Sequence, residues 1–369
     1  MAVQVGTRTS YDSIVGLRLD VEDAIHMISP FDVPFMGTFG MDRGSVLGSD
    51  ETTSTKVEWL EDELVPASDA LNGAITTGSA FITVDNQTYF KTNDLVMIDE
   101  EYLRVSGYGT SADTLTVQRA WGGTAVNHAD DATILILGTL PAEGSDPVSG
   151  INFQRVQPYN VTQIYQDEVE ITRTEEKEAK YGVQSESAYQ IAKRVKENAI
   201  KMERNLILGV RVDDTTNKKR SMGGLHYYIT DNVDSTTTAL TETLLVDQMQ
   251  ASFDAGGSID LLACGGTQKR NISAFNADDI RFARDENIRG AVVDWIDSDF
   301  GRVYIVLNRW VPTRFLFGLE KQYINLTWFD RPFVEALAKT GDRQQWEYIA
   351  EMTMKVRNTS AHFKFTALQ

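Results

Sequence analysis

Residues 185–209 read SESAYQIAKRVKENAIKMERNLILG, and the fold turns on this stretch. Ala188, Ile191, Ala192, Val195, Ala199, Met202 and Leu206 recur at the spacing that puts them on one helical face. Ser185 can cap the first turn through its hydroxyl, and Glu186 suits the positive end of the helix dipole. Glu197 and Lys201 form a favourable pair one turn apart, and Gly209 stands where a helix stops. The spacing predicts a helix over 186–208. Its apolar stripe is narrow and partly alanine, so the helix should lie close against a sheet with its other side polar.

Working outward, residues 151–173 have strand texture, and so do residues 53–60, with β-branched and aromatic residues in partial alternation. These two segments are expected to pair as one long hairpin, over 46–66 and 143–182. Residues 67–142 differ in texture. Strand-like runs at 80–84, 95–98, 102–105, 115–117 and 133–137 alternate with turn signals such as Asn93-Asp94, Gly107-Tyr108-Gly109 and Gly122-Gly123. That spacing predicts a small all-β module spliced into the hairpin. Residues 1–45 read as an arm. Pro30, Phe31, Pro34, Phe35, Met36 and Phe39 bring apolar residues together without enough neighbours for a core, so they should pack on something distant, in this subunit or another. Downstream, a helix from about Thr243 to Ala255, a buried strand at 259–263, a helix capped by Thr267 and running to Phe275, and strands at 303–307, 314–318, 324–328 and 348–356 complete an α+β chain, with 183–369 as its main body.

The chain has 369 residues and a formal charge of −18, from 53 acidic against 35 basic residues. Gripping phosphates directly needs a basic surface, so this balance argues against a sequence reader of DNA but allows a container. One cysteine, Cys264, excludes an internal disulfide and fits a reducing compartment, and no apolar run approaches a membrane span. His26, His128, His226 and His362 lack metal-ligand spacing, so no metal or cofactor is expected, and His128 beside Asp130 and Asp131 reads as a solvated loop. Cys264 reads as a buried strand residue and not a nucleophile. Gly107 to Ala112 precedes a strand and not a helix, so it is no dinucleotide fingerprint, and Gly265 to Lys269 lacks phosphate-loop spacing. Glu61-Asp62-Glu63 and Glu175-Glu176-Lys177-Glu178 read as solvated acidic runs, able in an assembly to meet basic neighbours. Lys193, Arg194, Lys196, Lys201, Arg204, Arg211, Lys218, Lys219 and Arg220 are the local exception, either one helix's polar face with a loop or a patch for an acidic neighbour or DNA.

The order of parts, arm, hairpin, long helix, mixed region and closing strands, resembles the Hong Kong 97 fold of tailed-phage major capsid proteins. Ile28 to Phe35, Val57-Glu58-Trp59 with Asp62-Glu63-Leu64, Asn160 to Tyr165 with Val169 to Thr172, and Glu203 to Ile207 resemble the SU-ten-type major head proteins. Lys269 to Phe275, Arg331-Pro332-Phe333, Leu337 to Asp342, Val356-Arg357-Asn358 and His362 extend the likeness. Asn93 to Ile98, Tyr102 to Val105 and Val117 to Thr124 with His128 resemble small β-modules of phage structural proteins.

The resemblance implies an N-arm, an extended loop, a spine helix, and peripheral and axial domains. It implies a non-enzymatic subunit that assembles with itself, as pentamers and hexamers, into an icosahedral shell around double-stranded DNA. Assembly would take place in the host cytoplasm, away from any membrane, with portal and decoration proteins as further partners. The arm starts almost at Met1, so scaffolding is expected to be a separate protein or absent. Phe31, Phe35, Met36, Phe39, Trp59, Glu61 and Glu63 are the expected inter-subunit contacts. Removing residues 1–40 should leave a folded subunit unable to form shells. A tail or connector protein forming rings or tubes is the second reading, and a soluble hydrolase the third.

Overall fold

The computed structural model describes residues 31–37, 47–178, 180, 183–275 and 295–369. The chain divides into two compact units, one made of 60–157 and the other of the chain on either side.

In the larger unit, β1 (Gly48–Glu51) and β2 (Lys56–Glu58) precede the splice point. The smaller unit is a barrel of β3 (Ser68–Ala70), β4 (Phe81–Thr83), β5 (Asp94–Ile98), β6 (Glu101–Tyr108), β7 (Thr114–Gln118) and β8 (Thr133–Thr139). Its strands run in the order β3-β8-β5-β6-β7-β4. The Leu71–Val84 bridge, with Asp85 N–H donating to Ala70 O (3.1 Å), joins the first strand to the last. The sheet therefore closes and leaves no long edge for stray pairing. Alternation fills the interior: Leu103 and Val105 of β6 point in, while Tyr102 and Ser106 point out. Asn93, Asp99, Asp113 and Asp131 take positive φ in the connections, a conformation that Asn and Asp tolerate better than most residues. The segment Gly107-Tyr108 is not a turn. It lies in β6, at a bulge between Val105 and Gly107, and the turn follows it.

The chain returns to the larger unit through β9 (Tyr159–Val161) and β10 (Gln163–Thr172), followed by α1 (Arg173–Lys177) and α2 (Glu186–Leu208). Then come the hairpin β11 (Val212–Asp214) and β12 (Lys219–Ser221), α3 (Leu225–Tyr228), β13 (Asn232–Asp234), α4 (Glu242–Asp254), β14 (Leu261–Cys264) and α5 (Gly266–Ser273). The closing strands are β15 (Trp295–Ser298), β16 (Gly301–Leu307), β17 (Leu316–Leu319), β18 (Ile324–Ala336), β19 (Arg343–Val356) and β20 (Phe363–Phe365). The two larger sheets of this unit are ordered β1-β18-β19-β10 and β13-β20-β17-β14-β16-β15, and β2-β9 and β11-β12 form two-stranded sheets beside them.

The expected long hairpin is corrected here. The pairing across the splice is short: β2 pairs with β9 from Lys56↔Val161 to Glu58↔Tyr159, and Glu61 bridges Val156. All of β10 instead runs antiparallel to β19, from Gln163↔Met352 to Thr172↔Arg343. Val169 and Ile171 lie in this pairing and are buried.

Helix α2 packs on β10 and β19. Ser185 Oγ accepts from Ala188 N–H (3.3 Å), as a cap should. Burial is confined to the second half, at Asn198, Ala199, Met202, Glu203, Leu206 and Ile207, whereas Ala188 and Ala192 are exposed. Gly209 ends the helix for a packing reason. A Cβ there would sit 2.4 Å from Asn205 O and 2.6 Å from Met222 O. The third helix is capped by Gly265, not Thr267.

Candidate functional site

Glu203 lies in phase with Ala199 and Leu206 on the buried face of α2 and is fully buried. A carboxylate in that position needs donors. Phe35 N–H donates to Oε1 (2.9 Å), Met36 N–H to Oε2 (3.2 Å) and Asn308 Nδ2 to Oε1 (2.6 Å). Trp310 Nε1 donates to Asp32 O (2.7 Å), and Gly37 N–H closes a turn on Val33 O (2.9 Å). Three of these bonds pin residues 32–37 to the spine helix and the segment after β16, a fourth ties that segment to the helix, and the fifth closes the turn. Burial raises the Glu203 carboxyl to about 7, even though the three donors pull it down.

This geometry corrects one expectation. Phe35 is wholly buried in its own subunit's core with Met202 and Leu206, so it has no surface for a neighbour. Removing residues 1–40 would uncover Glu203 and empty that part of the core, so it is not a clean test of assembly. Met36 is half-buried against the same core, and Phe31 is half-buried with the Lys196 ammonium 5.8 Å from its ring centre. Phe39 lies outside the described residues. Trp59 is also turned inward, tilted on Tyr228 at 6.0 Å.

In the smaller unit, Glu61 pairs with Val156 across the two legs that lead to the barrel, and Glu63 is exposed. The legs carry apolar side chains in the open. Leu64 is 92% exposed and Leu60 65%.

The barrel holds a second buried carboxylate. Glu101 lies in phase with Leu103 on the inward side of β6 and has a fully buried side chain. Arg119 clasps it with Nε (2.8 Å) and Nη2 (2.7 Å), and the N–H groups of Ala120 (3.1 Å) and Val126 (2.9 Å) add to the grip. His128 bridges Asp99 (2.6 Å from Nδ1) and Glu101 (3.1 Å from Nε2). Burial alone would raise the Glu101 carboxyl. The guanidinium, the two amides and the imidazole outweigh it and hold the group at about 2. The sequence reading placed His128 in a solvated loop, but it is 2% exposed. Asp99, His128 and Glu101 resemble a catalytic relay, yet each ring nitrogen faces a carboxylate and no hydroxyl or thiol stands in the chain of bonds. The cluster is a structural lock.

Cys264 is buried at the end of β14, and desolvation pushes its thiol up to about 11, so it is a poor nucleophile. Among the described residues, no three His, Cys, Asp or Glu side chains are grouped to hold a metal, and no helix is long and apolar enough to cross a membrane. Three of the nine basic residues between 193 and 220 are ion-paired within the chain. Arg194 pairs with Glu197, Lys201 with Asp167 and Arg220 with Glu351.

Known proteins place this architecture. The capsid of Myoviridae phage XM1 aligns with 99% of this chain and 100% of its own at 12% identity, with a TM-score of 0.52. A structure from Microbacterium phage Oxtober96 aligns with 97% of this chain and 98% of its own at 10% identity, with a TM-score of 0.52. The capsid of a native GTA particle aligns with 98% of this chain and 100% of its own at 8% identity, with a TM-score of 0.53. At such low identity it is the superposition over nearly the whole chain that establishes the fold, which is the Hong Kong 97-like capsid fold. No curated protein matches the sequence. The family model described as SU10 major capsid protein matches residues 3–369, and the chain therefore belongs to that family of tailed-bacteriophage major capsid proteins.

Proposed function

We propose that copies of this chain meet around five-fold and quasi-six-fold positions and close into an icosahedral shell around double-stranded DNA, which is held by enclosure. The observation that carries this reading is the family match across residues 3–369, on a chain whose −18 charge is suited to containing DNA and not to gripping it. The subunit's activity is geometric, with no catalytic step. Assembly takes place in the host cytoplasm, with separate scaffolding, portal and decoration proteins as partners. Phe31 and Met36 on the arm, Glu61 and Glu63 on the legs, and the open Leu60 and Leu64 beside them supply contact area and register between subunits.

The test is the particle size of the purified full chain, by light scattering with negative-stain microscopy. Closed polyhedral particles of uniform diameter are expected, alone or with a co-expressed scaffolding protein. Rings or open tubes under every condition would overturn the shell in favour of the tail or connector reading. A small oligomer with ligand-dependent stability would favour the enzyme reading.

A further inference from the structure

Glu203 holds a segment that has no place in any sheet. Residues 32–37 lie outside every strand and helix, and the backbone bond within them is the turn that Gly37 N–H closes on Val33 O (2.9 Å). They are attached by Phe35, seated beside Met202 and Leu206, by the Trp310 bond to Asp32 O, and by the two amides on Glu203. A segment held by a few contacts and no ladder opens locally at lower cost than the sheets around it.

The surroundings of the carboxyl change when that segment moves. Docked, Glu203 is fully buried, and two of its three donors are the Phe35 and Met36 amides. Undocked, it meets water where those residues stood. The charged group that acts on it is Asp32 of the segment itself, which opposes a second negative charge. The segment after β16 brings the neutral amide of Asn308, and Arg309 beside it is exposed. Helix α2 brings the apolar Met202 and Leu206, and its Lys196 is engaged with the Phe31 ring (5.8 Å). Glu203 has no cationic partner among the described residues. Burying a carboxylate in such a place is costly, and burying the neutral acid is much less so.

We propose that Glu203 is a proton-controlled latch on residues 32–37: its neutral acid favours the docked segment, and its ionisation favours release. The sign follows from linkage. Burial sets the docked carboxyl at about 7, against 4.5 for an exposed one, so release gives up a proton. Docking is therefore strongest in acid and weakens as pH rises through 7. Those two values correspond to a docking equilibrium about seventy-fold weaker at pH 8 than at pH 5. Docked, Phe35 is shut inside the core, so it and the covered side of Met36 are open to another surface only after release. The latch is a property of one subunit and does not rest on the shell reading.

Amide hydrogen exchange of the full chain, read by mass spectrometry, tests it. Phe35, Met36 and Gly37 each have a bonded N–H, and β14 serves as the reference for opening of the whole subunit. Each rate is divided by the intrinsic rate at the same pH, so that protection alone is compared. The 35–37 amides should be less protected than β14 at every pH, and their protection should fall about seventy-fold between pH 5 and 8. Glu203→Gln cannot ionise and should remove that fall. Asp32→Asn keeps every bond to Glu203, takes away the opposing charge and should move the fall to lower pH. Protection that is flat in the native chain, that falls equally in Glu203→Gln, or that does not move to lower pH in Asp32→Asn would overturn the latch. Protection equal to that of β14 would overturn it too, because the segment would then leave only when the subunit unfolds.

Discussion

Glu203 and Glu101 are both buried carboxylates, and their surroundings send them in opposite directions. Glu203 faces only neutral donors, so desolvation prevails and its folded pKa stands near 7, against an ordinary 4.5. The folded state therefore holds a proton that the unfolded state releases. That stabilisation is full below about pH 4.5 and is lost as pH rises through 7, a swing of about 3 kcal/mol. His362 works the other way, because burial holds its imidazole down to about 4 and its contribution is lost in acid. Comparison with Glu203→Gln isolates the first effect. The stability of the native chain relative to that variant should fall between pH 5 and 8, read from denaturant midpoints, and a flat difference would show that Glu203 does not titrate there. Glu101 faces a guanidinium that is only 8% exposed. Glu101→Ala strands that cation and the His128 ring, so a loss of about 3–5 kcal/mol is expected by calorimetry, against the fraction of a kcal/mol typical of a surface pair. The sequence carried half of this cluster. Alternation puts Glu101 in phase with Leu103, but Arg119 and His128 stand 18 and 27 residues away, and no local pattern joins them.

At the scale of elements, legibility follows the distance over which an element is specified. Helix α2 runs from Glu186 to Leu208, as the spacing in residues 185–209 predicts, because period, cap and stop are all local. The partner of β10 is β19, about 180 residues further along the chain, and register at that range is set by packing and not by neighbouring residues. The half-buried first half of α2 shows the limit of periodicity, which identifies an apolar stripe without saying how far the sheet covers it. Gly209 shows a second limit. A stop glycine suggests a left-handed residue, but here φ is −57° and the constraint is backbone crowding from Asn205 and Met222. Gly209→Ala should therefore destabilise the larger unit by about 1–3 kcal/mol, the range for overpacking, and helical circular dichroism should be retained below the transition. A neutral substitution would mean that the 222–224 segment can move away at little cost.

At the scale of the whole molecule, the splice has a physical meaning that can be tested. Texture alone bounded the insert at 67 and 142, where strand-like alternation begins and ends. The division falls wider, at 60 and 157, because the flanking legs bridge each other at Glu61 and Val156 and belong with the barrel. The barrel has its own core, built on Leu71, Phe90, Val96, Leu103, Leu115 and Ile134, and a closed sheet around it. At the root, Glu58 pairs with Tyr159, and Trp59 N–H donates to Pro158 O (3.1 Å), so the two ends of the larger unit already lie one strand spacing apart. A short Gly–Ser linker in place of 60–157 should bridge that gap without strain, because closing a loop this short costs little entropy. Both pieces should then fold, the excised barrel as a cooperative β unit and the shortened chain with its melting transition intact. If the shortened chain forms shells of normal size, the acidic barrel is an addition to the surface. If it folds but stays unassembled, the barrel belongs to the machinery that joins one subunit to the next.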